Sequence, residues 1–167
     1  MYVGDGHPAD LVYDYTADRT RAGPLTFLAD FRGYLQADAY AGYDALYATG
    51  RVVEVACWAH ARRYFFDAKA SDPARALPAL GFIQQLYAVE RAVKDADAET
   101  RRAQRAADAM PVLTRFRHWL DGQADVVLPK SPIGEAVGYA RAQWTALTRY
   151  CGDGALAIDN NVSERAL

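Results

Sequence analysis

The sequence has little that would staple it or anchor it. Among 167 residues there are two cysteines, Cys57 and Cys151, too few for a disulfide framework and in keeping with a reducing, cytoplasmic setting. The longest apolar runs, such as Val52 to Ala61 with Glu54 inside it, fall far short of the roughly 20 residues that cross a bilayer, so no membrane partner is expected. Met1 to Gly6 lacks the basic start and apolar stretch of a signal peptide. There is no glycine-rich loop of the Walker or dinucleotide type and no Gly-x-Ser-x-Gly elbow, which leaves nucleotide-cradling and serine-hydrolase chemistry without their signatures. Excess charge is missing too: the net value of −2 argues against a self-sufficient nucleic-acid binder.

What is present is an ordinary globular composition, 51% hydrophobic and 24% charged, long enough to bury a core. The charge is unevenly spread. Residues 51–120 hold twelve Lys/Arg against eight Asp/Glu, while the rest holds seven against thirteen. A basic middle beside acidic ends fits phosphate contacts in one place and metal ions in another, and equally fits a solvated helical surface.

Periodicity divides the chain in two. Met1–Val3 and Leu11–Tyr15 read as a hairpin around Gly4-Asp5-Gly6-His7-Pro8. Pro24 begins a helical pattern with Leu25, Leu28 and Phe31 on one face, stopped by Gly33. Tyr34–Tyr40 reads as a strand with Tyr34, Gln36, Asp38 and Tyr40 on one face and Leu35, Ala37 and Ala39 on the other. A short helix over Tyr43–Ala48 ends at Gly50, and Val52–Trp58 is the strongest strand, running into a helix near His60. Beyond Asp67 the pattern is helical over 77–94, 112–120 and 137–151, with 98–109 read as exposed helix. Ala155–Ile158 reads as a short extended piece before a last helix opened by Asn161. The expected class is α/β (α+β mixed): a mixed sheet flanked by helices, with a large helical insertion.

Few residues stand out as chemical. Asp38 lies near the carboxyl end of a strand, where α/β sheets bind ligands; it could instead cap the next helix or hold turn amides. Glu164, three residues after Asn161, completes a capping box, which also would hold it rigid in a first helical turn. Cys57-Trp58-Ala59-His60 has the spacing of half a zinc site, but Cys151, His7 and His118 offer no second closely spaced pair. Other readings are a buried Cys57 beside a hydrogen-bonded His60, or a His60 that faces the same cleft as Asp38. Arg62, Arg63 and Lys69 follow, suited to a phosphate backbone.

Three runs carry a resemblance: Gly33-Tyr34-Leu35-Gln36-Ala37-Asp38-Ala39-Tyr40-Ala41-Gly42-Tyr43, then Cys57-Trp58-Ala59-His60-Ala61-Arg62-Arg63-Tyr64-Phe65, then Ile158-Asp159-Asn160-Asn161-Val162-Ser163-Glu164-Arg165-Ala166-Leu167. In order and spacing the chain resembles the bacterial insertion-sequence "sixty-six" transposases of the TnpC type. The resemblance implies an RNase H-like fold with a DDE triad, in which Asp38 matches the second aspartate and Glu164 the glutamate, with the Cys57-x-x-His60 signature beside the site. It implies residues 1–66 as core, 67–154 as a helical insertion, and 155–167 as the start of the glutamate helix. It implies Mg²⁺ or Mn²⁺ as cofactor, transposon-end and target DNA as partners, self-association, and Arg62, Arg63, Lys69 and Arg165 on DNA. Carboxylates suit this chemistry because hard oxygen ligands hold the paired divalent ions that drive in-line displacement at a phosphodiester.

The sequence also departs from the family's pattern. The family's first aspartate lies on a strand upstream of the segment matching Met1–Gly6, and Asp5 and Asp14 do not align with it. The expectation is a catalytic-core fragment, cut at both ends and inactive alone. The rival expectation is a non-catalytic DNA-binding or assembly fragment working through Arg101-Arg102-Ala103-Gln104-Arg105.

Overall fold

The computed structural model describes residues 22–37 and 41–161. The hairpin expected over 1–15, the end of the strand expected to reach Tyr40, and the last helical turn lie outside the described residues. The chain divides into two compact units, one of residues 1–57 with 159–167 and the other of residues 58–158.

The first unit is built on a pair of strands. Helix α1 (Ala22–Phe27) is followed by β1 (Gly33–Ala37), a 3₁₀ turn at Ala41–Tyr43, α2 (Asp44–Tyr47) and β2 (Val52–Ala56). The two strands pair in parallel, in register from Gly33 opposite Val52 to Ala37 opposite Ala56. The expected alternation holds in β1: Leu35 and Ala37 are buried and Tyr34 is exposed. Leu28, Leu35, Leu46 and Val52 form one apolar cluster, covered by Leu25, Phe31, Tyr43 and Tyr47. Parallel strands need a crossover, and here it is short. Gly50, at φ +68°, adopts the left-handed conformation that favours glycine and turns the chain from α2 into β2. The Thr49 hydroxyl secures that turn, donating to the Leu46 carbonyl at 2.7 Å and accepting from the Arg51 amide at 3.2 Å. Among the described residues the sheet has these two strands, so the fold is mixed α and β but mostly helical.

The second unit is all helix: α3 (Trp58–Ala68), α4 (Pro73–Ala92), α5 (Ala98–Gln104), a π-helical stretch at Arg105–Ala109, α6 (Met110–Ala124), α7 (Pro132–Ala142) and α8 (Trp144–Thr148). Side-chain caps set the starts of three of these helices. Asp72, Asp97 and Ser131 accept hydrogen bonds from the amides of Arg75, Thr100 and Gly134, satisfying donors that a first turn leaves orphaned. The core is aromatic. Phe116 is fully buried and meets Phe82 in a stack at 4.9 Å and Trp58, Phe65, Trp119 and Trp144 at 6.0 Å each. The Trp58 indole donates to the Leu147 carbonyl at 2.8 Å, so burying its polar edge costs little. The unit closes on itself, because the Trp58 amide donates to the Ile158 carbonyl at 3.1 Å.

Three local expectations change. The helix expected over 137–151 is interrupted at Gln143, whose backbone (φ −88°, ψ 7°) lies in the sparsely allowed bridge region. Ala155–Ile158 forms turns and bends rather than an extended piece. Residues 98–109 are helical and mostly exposed, but Arg105 and Ala109 turn inward and are fully buried.

Arg105 explains that burial. Its Nε and Nη2 donate to the two carboxylate oxygens of Glu90 at 2.8 and 2.7 Å. Its Nη1 donates to the Tyr150 and Asp153 carbonyls at 2.7 and 3.0 Å, and Nη2 to the Leu156 carbonyl at 3.0 Å. A buried guanidinium is tolerable only when its charge is paired and its donors are used. Both conditions are met.

Candidate functional site

The site expected from sequence draws on both units, and each is described by itself. In the first, the parallel register places the carboxyl ends of β1 and β2 side by side, with Ala37 opposite Ala56. Asp38 follows Ala37 directly in the chain but lies outside the described residues, as do Glu164 and Arg165. Cys57 follows Ala56. Its buried thiol donates to the Asn160 side-chain oxygen at 2.9 Å. This bond ties the 159–161 segment to the carboxyl end of β2, although 103 residues separate the partners.

The segment is ordered locally as well. The Asp159 carboxylate accepts from the Asn161 amide at 3.1 Å and from its side-chain nitrogen at 2.8 Å. Such an Asx turn starts a helix by supplying an acceptor before its first turn. Helical backbone begins at Asn161, two residues after Asp159. Sequence reasoning missed both Asp159 and Asn160. The repeated Asp-Asn-Asn was the available signal, because those residue types are the turn and cap formers.

In the second unit His60 occupies the first turn of α3 and is half-buried. Arg62 and Arg63 are exposed on α3, and Lys69 is exposed in the turn that closes it. Arg62 lies 5.8 Å, and Lys69 4.7 Å, from the centre of the exposed Phe66 ring. Tyr64 stacks on Tyr139 at 4.6 Å.

Cys57 is engaged as a hydrogen-bond donor, and Cys151 is buried in the helical unit with its thiol pushed up to about 11 by burial. Such a thiol stays protonated and is a poor metal ligand near neutrality. Among the described residues no three His, Cys, Asp or Glu side chains are grouped to hold a metal ion. In the stretch Arg101–Arg105, two of the three arginines are paired. Arg105 is consumed internally and Arg102 is paired with Glu99 at 2.6 Å. No helix among the described residues is long and apolar enough to cross a membrane.

A family model described as "Transposase IS66 family" matches residues 1–167. Among curated proteins, the uncharacterized protein y4jD of Sinorhizobium fredii is 29% identical over 167 residues, covering 96% of this chain and 33% of its own length. The uncharacterized protein y4hP of the same organism is 29% identical over 181 residues, covering 98% of this chain and 33% of itself. The chain thus spans about a third of the length of the curated relatives it matches. No solved structure matches.

Proposed function

Because the chain belongs to the IS66 transposase family, we propose that it carries two of the three carboxylates of a DDE-type active site for DNA strand cleavage and strand transfer. The two are Asp38 and Glu164. The observation that carries the reading is the Cys57–Asn160 hydrogen bond. It joins the carboxyl end of β2, in register with that of β1, to the segment four residues before Glu164. Asp38 follows the last residue of β1 and Glu164 comes four residues after Asn160, so the bond supports a reading in which both acids lie at one end of a parallel sheet, the usual location of ligand sites in such sheets.

On this reading the core is RNase H-like, with residues 67–154 as its helical insertion. Asp38 and Glu164 would hold Mg²⁺ or Mn²⁺. Their hard oxygen donors suit either ion, which when bound would activate the attacking oxygen and stabilise the leaving one. The protein's own share is positional. Asn160, fixed by Cys57, and Asn161, fixed by Asp159, set the start of the glutamate helix. His60, in the first turn of α3, is the histidine of the Cys57-x-x-His60 signature that the family carries beside this site. Arg62, Arg63, Lys69 and Arg165 meet phosphates of transposon-end and target DNA. Strand cleavage and transfer are activities of the whole protein, and no residue here matches the first acid of the set.

The test is metal-dependent nicking of transposon-end DNA by the intact protein. Asp38→Asn and Glu164→Gln should each cut the rate at least about a hundredfold without weakening DNA binding in EDTA. Rates within threefold of the parent for either variant would sink the assignment. The 167-residue chain by itself should not nick, and cleavage by it that both substitutions abolish would show that two acids suffice.

A further inference from the structure

The cations of the helical unit differ in how they are used. Arg75, Arg102, Arg105, Arg117 and Arg141 are spent on carboxylates of the same unit. Arg62 and Lys69 form no ion pair among the described residues. They converge instead on one exposed aromatic ring, Phe66, 48% accessible, at 5.8 and 4.7 Å from its centre. Residues 62 and 66 are one turn apart on the same stripe of α3, and Lys69 stands in the turn that closes the helix. Asp67, the one carboxylate of that helix, sits about 100° around it from Phe66.

An exposed phenylalanine gains nothing from water, and long cationic side chains ordinarily sample many rotamers. Here the ring and the cations restrain each other, since a cation over an aromatic face is attracted by its quadrupole. The outcome is two positive charges restrained beside one ring, with no ion-pair partner among the described residues. That is the requirement for binding an external polyanion with little ordering cost.

We propose that Arg62, Phe66 and Lys69 form a preorganised contact for the phosphate backbone of duplex DNA, in which Phe66 is the positioning residue that fixes the two cations. The contact reads charge rather than sequence. It rests on DNA as the partner proposed above, but not on the carboxylate site, so it is measured in EDTA where no cleavage step intervenes.

The experiment is fluorescence-anisotropy titration of the intact protein with a 30-base-pair duplex at several salt concentrations. Arg62→Gln and Lys69→Gln should each weaken binding and reduce the slope of log affinity against log salt by about 0.9. Phe66→Leu keeps the charges and the apolar bulk but removes the ring. It should weaken binding about three- to tenfold with the slope unchanged. Because Phe66 is exposed, its far-UV circular dichroism should match the parent. Parent-like affinity for Phe66→Leu would overturn the positioning role, and unchanged slopes for both glutamine variants would overturn the phosphate contact. Binding to phosphatidylserine vesicles that depends on the same three residues, without such dependence on DNA, would assign the patch to an anionic surface and refute the proposal. Loss of these effects with nicking still dependent on Asp38 would refute this contact alone. The reverse pattern would refute the carboxylate reading alone.

Discussion

The two units solve the burial problem in opposite ways. The sheet-bearing unit relies on a small aliphatic cluster, Leu28, Leu35, Leu46 and Val52, with tyrosines and a phenylalanine leaning on it. The helical unit has a ring of aromatics around Phe116 and a buried ionic staple at Arg105. Aliphatic packing of two short strands is simple to specify, but it leaves the strand ends free for polar chemistry. The aromatic core and the staple fix six helices from within. The division sets aromatic and ionic packing in residues 58–158 against a small aliphatic core in the other unit.

Calorimetry can break this comparison. Arg105→Ala should be among the most damaging single changes, because it leaves the Glu90 carboxylate and three carbonyls without their donor, at a cost of about 3–5 kcal/mol. The loss should fall on the helical unit alone. If Glu90→Gln partly rescues the variant, the uncompensated charge is the cause. Leu35→Ala should cost about 2–5 kcal/mol and lower only the transition of the sheet-bearing unit. A shift of both transitions by either substitution would show that the units unfold together.

Gly154→Ala comes next. A Cβ there would overlap the Ala98 carbonyl oxygen, which is backbone and cannot swing aside. The strain should cost about 1–3 kcal/mol and appear as a lowered denaturation midpoint of the helical unit. A neutral result would mean that the start of α5 yields readily.

The smallest effect concerns pH. Burial pushes the Cys151 thiol up to about 11, above the roughly 8.5 of an unfolded cysteine. The folded state therefore holds this proton more tightly. Its contribution is complete below about pH 8.5 and is lost as pH rises toward 11. The Tyr150 phenol, also raised by burial, acts in the same direction above about pH 10. Cys151→Ala should flatten the dependence between about pH 8.5 and 10, as read from urea midpoints.

Much of the fold was legible in the sequence because it is locally encoded. Leu35 and Ala37 alternate with Tyr34 and Gln36, and Ala76, Ala79, Ile83 and Leu86 repeat at helical spacing. Gly50 marks its turn by composition alone. Arg105 was not legible. An arginine in an alanine-rich, charged stretch defaults to solvent, and its burial depends on Glu90 fifteen residues earlier and on carbonyls 45 to 51 residues later. The same applies to Asn160, whose partner is 103 residues away. Asp38 and Glu164 were singled out by their motif context, since each alone is equally well explained by turn or capping chemistry. The described residues reach their neighbours Ala37 and Asn161 and stop there.

The amide of Trp58 and the carbonyl of Ile158 lie one hydrogen bond apart, and this bears on how such a protein can change over time. An unstructured excursion of about a hundred residues would cost a sheet roughly 2–3 kcal/mol more to close than a five-residue loop. A folded excursion whose first and last residues already touch adds no such cost, whatever its length. Insertions and deletions among the connections from α3 to α8 should therefore be nearly invisible to the strands. A short turn spliced between Cys57 and Asp159 should leave the β1–β2 pairing and its aliphatic cluster in place. The hydrogen bond makes the helical unit a replaceable part.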